Sequence, residues 1–211
     1  IRRPPRSTLF SYTTLFRSEG YVRDPELVID FYNERRKQLL DVEPNAGHTG
    51  LAELEKDFNV TVVTQNVDNL HERAGSTHVI HLHGELTKVC SSRDPYNPRY
   101  VRELKPEEYE VKMGDKAGDG SQLRPFIVWF GEAVPEIETA IGYVEKADIF
   151  VIIGTSMNVY PAAGLLNYVP RTAEVYLIDP KPVDTHSMRQ IHVIQKGASE
   201  GVKELKTEIL H

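Results

Sequence analysis

The sequence predicts an α/β fold, a mainly parallel sheet with helices on both faces. Three observations carry that expectation. Apolar runs of strand length alternate with longer segments of helical periodicity. The run "ADIFVIIGTS" is apolar without alternation and closes on glycine, the pattern of a strand covered on both faces. Five polar clusters, "TQNVDN", "HGEL", "FGEAVP", "GTSMNVYP" and "IDPKPV", each follow directly on an apolar strand. Open parallel sheets bind ligands outside the carboxyl ends of their strands. Five such exits point to one shared cleft, whereas any one alone would be a turn.

The first eighteen residues stand apart. "IRRPPRSTLFSYTTLFRS" holds four arginines, six Ser or Thr and no acid, and repeats "TLF". That composition suits a transit peptide, but Pro4 and Pro5 break any amphipathic helix at its start. Residues 1–18 therefore read as a non-native or disordered leader. From Asp24 the signals become coherent. Asp24-Pro25 is an N-cap followed by proline at the first helical position. Leu27, Phe31, Arg35 and Leu39 recur four apart, predicting an amphipathic helix over 25–40. A second helix is expected over His48 to Phe58, with Leu51, Leu54 and Phe58 inward. Val60 to Val63 and His78 to Leu82 read as strands.

Residues 87–122 lose all periodicity. Pro95, Pro98, Pro106 and the Gly114–Gly120 stretch read as a loop-rich insertion. Strand character returns at Phe126 to Trp129. A helix over Glu136 to Lys146, the strand "ADIFVIIG", a helix from about Pro161 and the strand "EVYLIDP" follow. Ala198 to Leu210 forms a closing helix with Val202, Leu205 and Ile209 on one face.

Bulk properties narrow the function. The chain has 211 residues, enough for one sizeable domain with a small insertion. A net charge of -6 argues against general nucleic-acid binding. No apolar stretch approaches the ~18 residues of a membrane span. Cys90 is the one cysteine, which excludes an internal disulfide framework and suits a reducing, cytoplasmic setting.

Taken together, "TQNVDNLHERAG", "LHGEL", "FGEAVP" and "GTSMNVYPAAGL", in that order, resemble the sirtuins, the NAD-dependent protein-lysine deacylases. The resemblance runs from about Gly20 to the C-terminus, and "EGYVRDPELVIDFYNERR" resembles the bacterial desuccinylase and demalonylase branch. It implies a Rossmann-like NAD-binding domain over 19–86 and 123–211, with 87–122 as the small module. By matching motif positions, Gln65, Asn66, Val67 and Asp68 would line the nicotinamide and ribose pocket, and His83 with Asn66 would be catalytic. Gly154, Thr155 and Ser156 would meet the phosphates and ribose, and Asp179 and Ala198 the adenosine end. Val128, Phe130, Gly131 and Val159 would hold an acyl-lysine peptide as an added strand. NAD is the implied co-substrate, and a monomer is the expected state.

The chemistry suits these residue types. Cleavage of NAD at the nicotinamide ribose passes through a cationic sugar that an acyl oxygen can capture. A histidine titrating near neutrality can then take a proton from a ribose hydroxyl, and acyl transfer to ADP-ribose follows. Gln65 and Asn66 can orient ribose and water without adding charge, and Asp68 can accept from the nicotinamide carboxamide. Each residue also has a plainer reading. His83 in the alternation His81, Leu82, His83 would pass for a solvated histidine, "GTS" for a strand-end turn and Asp179 before Pro180 for a turn initiator. His71 and His81 read as structural or exposed.

Many sirtuins carry a four-cysteine zinc site in the small module. A structural zinc takes about four N or S ligands, and Cys90 has no Cys or His companion through residue 122. No metal is expected, and Tyr96, Tyr100 and Tyr109 are expected to help pack the module. The family also opens with a strand and a glycine-rich "GAG" loop that cradles the pyrophosphate, and nothing here matches it. The Tyr and Arg that its desuccinylase branch uses for the acyl carboxylate are left unassigned. The chain as given is therefore expected to bind NAD poorly and to be weak or inactive. Competing readings are a sirtuin-like NAD glycohydrolase or ADP-ribosyltransferase, and a non-catalytic binding remnant. The sole G-x-G, at Gly118–Gly120, argues against a dehydrogenase, since it lies far from any strand-helix turn and Leu123 takes the third glycine position.

Overall fold

The structure, a computed structural model, describes residues 17–154, 162–182 and 190–210. Its elements in chain order begin with helices α1 (Ser18–Arg23), α2 (Pro25–Leu40) and α3 (Ala46–Leu54). Then come β1 (Val62–Thr64), α4 (Leu70–Arg73), β2 (Val79–His81), β3 (Gly84–Ser91), β4 (Arg102–Glu103) and β5 (Leu123–Ile127). The last part holds α5 (Ile137–Val144), β6 (Ile149–Ile153), α6 (Ala162–Leu165), β7 (Glu174–Ile178), β8 (His192–Ile194) and α7 (Ala198–Ile209). These group into two compact units. One comprises the described residues up to Asp41 with His83–Ala133, the other those of Val42–Leu82 with Val134–His211.

The second unit carries the parallel strands. β1 pairs with β2, and β6, β7 and β8 form a sheet in that order, all in parallel register. Successive side chains of a strand point to opposite faces, and β7 shows why its sequence is apolar throughout. Val175 and Leu177 join Ala140 and Val144 of α5 and Leu165 of α6 in one core. Tyr176 and Ile178 join Leu54 of α3 and Val202 and Leu205 of α7 in another. Helices thus cover the sheet on both faces, as expected. Gly201 makes the close approach possible, because a Cβ there would overlap the Ile178 side chain. Truncating the fully buried Leu205 to alanine would cost about 2–5 kcal/mol.

The first unit is antiparallel, with strand order β4-β3-β5. β3 and β4 fall at the start of, and within, the stretch expected to be loop-rich. The register between β3 and β5 shifts between Gly84 and Val89, and Val89, Cys90 and Ser91 are buried in succession. An irregularity of that kind erases the period-two signal. β5 lies at the sheet edge, where Pro125 is tolerated.

Helix α2 runs over the expected residues, and the Asp24 carboxylate accepts the Leu27 N–H at 3.1 Å. Its inward stripe differs from the expected one. Val28, Ile29, Tyr32, Arg36 and Leu39 are buried, while Leu27 and Arg35 are exposed. The reason is Arg36, which donates to the backbone carbonyls of Tyr109 and Leu86 and so draws a charged position inward. Burial pushes its guanidinium down to about 10. Ile29 packs with Val89, Leu104, Val111, Ala117 and Leu123. α3 begins two residues before the expected His48, because Asn45 and His48 close a capping box.

Candidate functional site

In the second unit the expected binding residues follow the carboxyl ends of parallel strands. Thr64 ends β1 buried, and its Oγ1 accepts the Asn66 N–H at 3.0 Å, turning the chain out of the strand. Asn66 is exposed, and Gln65, Val67 and Asp68 are half-buried. The Asp68 carboxylate accepts the Leu70 N–H at 3.2 Å and starts α4. Asn69 Oδ1 is buried without a hydrogen-bond partner among the described residues. Gly154 follows β6 at φ 62°, its N–H bonded to the Ile178 carbonyl at 2.9 Å. Among the described residues nothing lies within 4 Å of where a Gly154 side chain would start. Asp179 follows β7 buried, and its carboxylate accepts the Lys181 N–H at 2.8 Å. Ala198 opens α7, whose N-cap Gly197 supplies no side-chain cap. Thr155, Ser156 and Val159 lie outside the described residues.

The first unit holds His83, Val128, Phe130 and Gly131. His83 is half-buried between β2 and β3, and its carbonyl accepts the Val128 N–H at 2.9 Å. Gly84 after it has φ 80°, and a Cβ there would overlap the Phe126 backbone carbonyl. Glycine is therefore required beside His83. Phe130 is 71% exposed, and Gly131 turns at φ 95°.

Three polar networks were not foreseen. His81, expected to be structural or exposed, is buried and reaches both the Asn66 carbonyl and Glu72. Nearby, the rings of His48 and His71 meet edge-on at 4.7 Å between centroids. Burial, then His48, hold the His71 imidazole below its usual range. In the first unit Arg124 and Glu132 form a buried ion pair, and Tyr96 donates to Glu132 at 3.0 Å. Ser91 Oγ, fully buried, donates to Asp119 at 2.7 Å and lies 2.8 Å from Ser121 Oγ. Hydrogen bonds from Ser121 and Ser91 hold the Asp119 carboxyl down at about 2. The sequence signal for two of these networks was the acidic residue inside "WFGE" and "NLHER".

Parallel strands that end in a buried carboxylate, a left-handed glycine and an amide-rich loop define an α/β protein of the ligand-binding, open-sheet class. The comparisons narrow that class. The Sir2 family model matches residues 3–161. The chain is 85% identical over 188 residues to an NAD-dependent protein deacylase of Bacteroides thetaiotaomicron, covering 89% of this chain and 80% of that protein. It is 47% identical over 191 residues to an NAD-dependent protein deacylase of Helicobacter pylori, covering 90% and 81%. The crystal structure of a Sir2 homolog–NAD complex superposes with a TM-score of 0.82 at 33% identity, over 96% of this chain and 78% of that one. A Sir2–p53 peptide–NAD+ structure gives 0.74 at 28% identity, over 99% and 85%. The chain belongs to the Sir2 family.

Proposed function

We propose that this chain is an NAD-dependent protein deacylase that removes acyl groups from lysine side chains. The observation that carries the reading is the loop after β1, where Gln65, Asn66, Asp68 and Asn69 are presented at a strand exit and Asn69 Oδ1 is buried without a described partner. A buried amide oxygen left in that state favours a ligand that donates to it. Asp179 and Gly154 at the next strand ends, and the uncapped start of α7, suit the ribose, phosphate and adenosine parts of a dinucleotide. These residues fit NAD, which when bound supplies the ADP-ribose that accepts the acyl group.

The remaining work falls to the chain. Gln65 and Asn66 orient ribose and water, Asp68 accepts from the carboxamide, and His83 takes a proton from a ribose hydroxyl at its imidazole nitrogen. Phe130 stands exposed just before the left-handed turn at Gly131, and the stretch from Val128 to Phe130 is where a peptide can add as a strand. That surface favours a peptide acceptor site over simple NAD hydrolysis. A succinyl or malonyl preference, beside acetyl, belongs to the same reading. The negative charge argues against nucleic-acid partners, and the single, reduced Cys90 suits a cytoplasmic setting. Among the described residues no helix is long and apolar enough to cross a membrane.

Amide hydrogen exchange with and without NAD tests the placement. Added NAD is expected to slow exchange in residues 65–69 and around 154, 179 and 198 together. Protection absent from 65–69 would overturn it.

A further inference from the structure

We propose that His81 and Glu72 form a positioning pair that fixes the Asn66 carbonyl, and with it the 65–69 loop, against the end of β1. His81 stands on β2 directly across from Thr64 on β1, with its side chain 5% exposed. Its Nδ1 lies 3.0 Å from the Asn66 carbonyl oxygen, and its Nε2 lies 2.7 Å from Glu72 Oε1 on α4. A carbonyl oxygen can only accept, so Nδ1 must carry hydrogen. An ionised carboxylate also only accepts, so Nε2 must carry hydrogen as well.

Glu72 is ionised in this setting. Burial works against its charge, but the His81 hydrogen bond and its other favourable interactions outweigh that and bring the carboxyl below its usual range. The ring is then an imidazolium donating on both sides, one bond to the loop and one to its counter-ion. Within this unit His71 on α4 is the other titratable group that acts on the pair, and His71 is in turn faced by His48 on α3 and Asp68 in the loop.

The arrangement ties down the one exposed residue of a half-buried loop. Asn66 is pinned twice, by its N–H on Thr64 Oγ1 and by its carbonyl on His81 Nδ1. Charge-assisted hydrogen bonds are about twice as strong as neutral ones, and this one anchors the backbone of a residue assigned above to ribose and water. His81 acts through Asn66 and touches no substrate in this reading. The inference rests on the proposed function only where it concerns NAD.

Long-range proton–nitrogen correlation spectra of the full chain read the pair directly. Both His81 ring nitrogens are expected to be protonated at neutral pH, and one is expected to lose its proton in Glu72→Gln. Amide exchange across 65–69 is expected to rise about tenfold in Glu72→Gln and in His81→Gln, while α7 stays unchanged. A neutral ring in the unmodified chain, or unchanged exchange in both variants, would overturn the pair. The KM for NAD is expected to rise about tenfold in Glu72→Gln with kcat much less affected. An unmoved KM beside faster exchange would overturn the link to NAD. If the unmodified chain shows no deacylation, the functional reading fails, and the spectra and exchange still decide the pair.

Discussion

Arg124 grips Glu132 through two parallel hydrogen bonds, Nη1 to Oε1 at 2.9 Å and Nη2 to Oε2 at 3.1 Å. Glu132 also accepts the Trp129 N–H at 2.9 Å, and the guanidinium lies over the Trp129 ring, 4.0 Å from its centroid. The pair therefore locks the turn that carries Phe130 and Gly131. A buried pair broken on one side leaves an uncompensated charge. Glu132→Ala is expected to lower the stability of the chain by about 3–5 kcal/mol in urea denaturation. A loss below about 1 kcal/mol, the worth of a surface pair, would contradict it.

The same pair sets an acid limit. Burial opposes the Glu132 charge, but the Arg124 hydrogen bonds and the Trp129 N–H outweigh it and hold the carboxyl below its usual range. A folded-state value below the unfolded one contributes stability above the unfolded value, about 4.3, that is lost as pH falls through the folded value. Glu72 shifts the same way. The melting temperature is expected to fall steadily as pH drops below about 4.3, with a shallower decline in Glu132→Ala. A melting temperature flat across that window would contradict the assignment.

Gly84 meets two demands at once, a left-handed backbone and contact with the Phe126 carbonyl. Neither the carbonyl nor the β3–β5 pairing can move without breaking the ladder. Gly84→Ala is expected to cost about 1–3 kcal/mol from backbone strain, with the steric overlap added. Circular dichroism melts check it. A variant as stable as the parent would show that the β3–β5 register differs.

Cys90 is buried, with its thiol 3.7 Å from the Pro125 carbonyl. Burial, opposed by Arg124, pushes the thiol up to about 11. The thiolate is the reactive form, so Ellman's reagent at mildly alkaline pH is expected to find no fast-reacting thiol in the folded chain and one after guanidinium unfolding. Rapid labelling of the folded chain would contradict this packing.

Much of the second unit was legible because its strands are apolar throughout and its helices keep their period. Val202, Leu205 and Ile209 point inward on α7 as the spacing required. The polar strand exits were legible for the same reason, since amides and acids directly after valines or isoleucines have no packing role. The first unit was obscured by physics that spacing cannot report. The β3 irregularity removes the alternation that would reveal a strand, and Arg36 takes an inward position because distant carbonyls satisfy it. His81 was legible as a structural histidine, but its partner was not, because Glu72 lies nine residues away, a distance that the β1–α4–β2 path closes.

The most direct measurement is mass spectrometry of the nucleotide formed from an acetyl-lysine peptide and millimolar NAD, so that weak cofactor affinity does not mask the chemistry. The expected result is 2′-O-acetyl-ADP-ribose appearing in step with deacetylated peptide and nicotinamide, and lost in His83→Ala. Formation of plain ADP-ribose with the peptide still acetylated, or a yield unchanged in His83→Ala, would contradict the account.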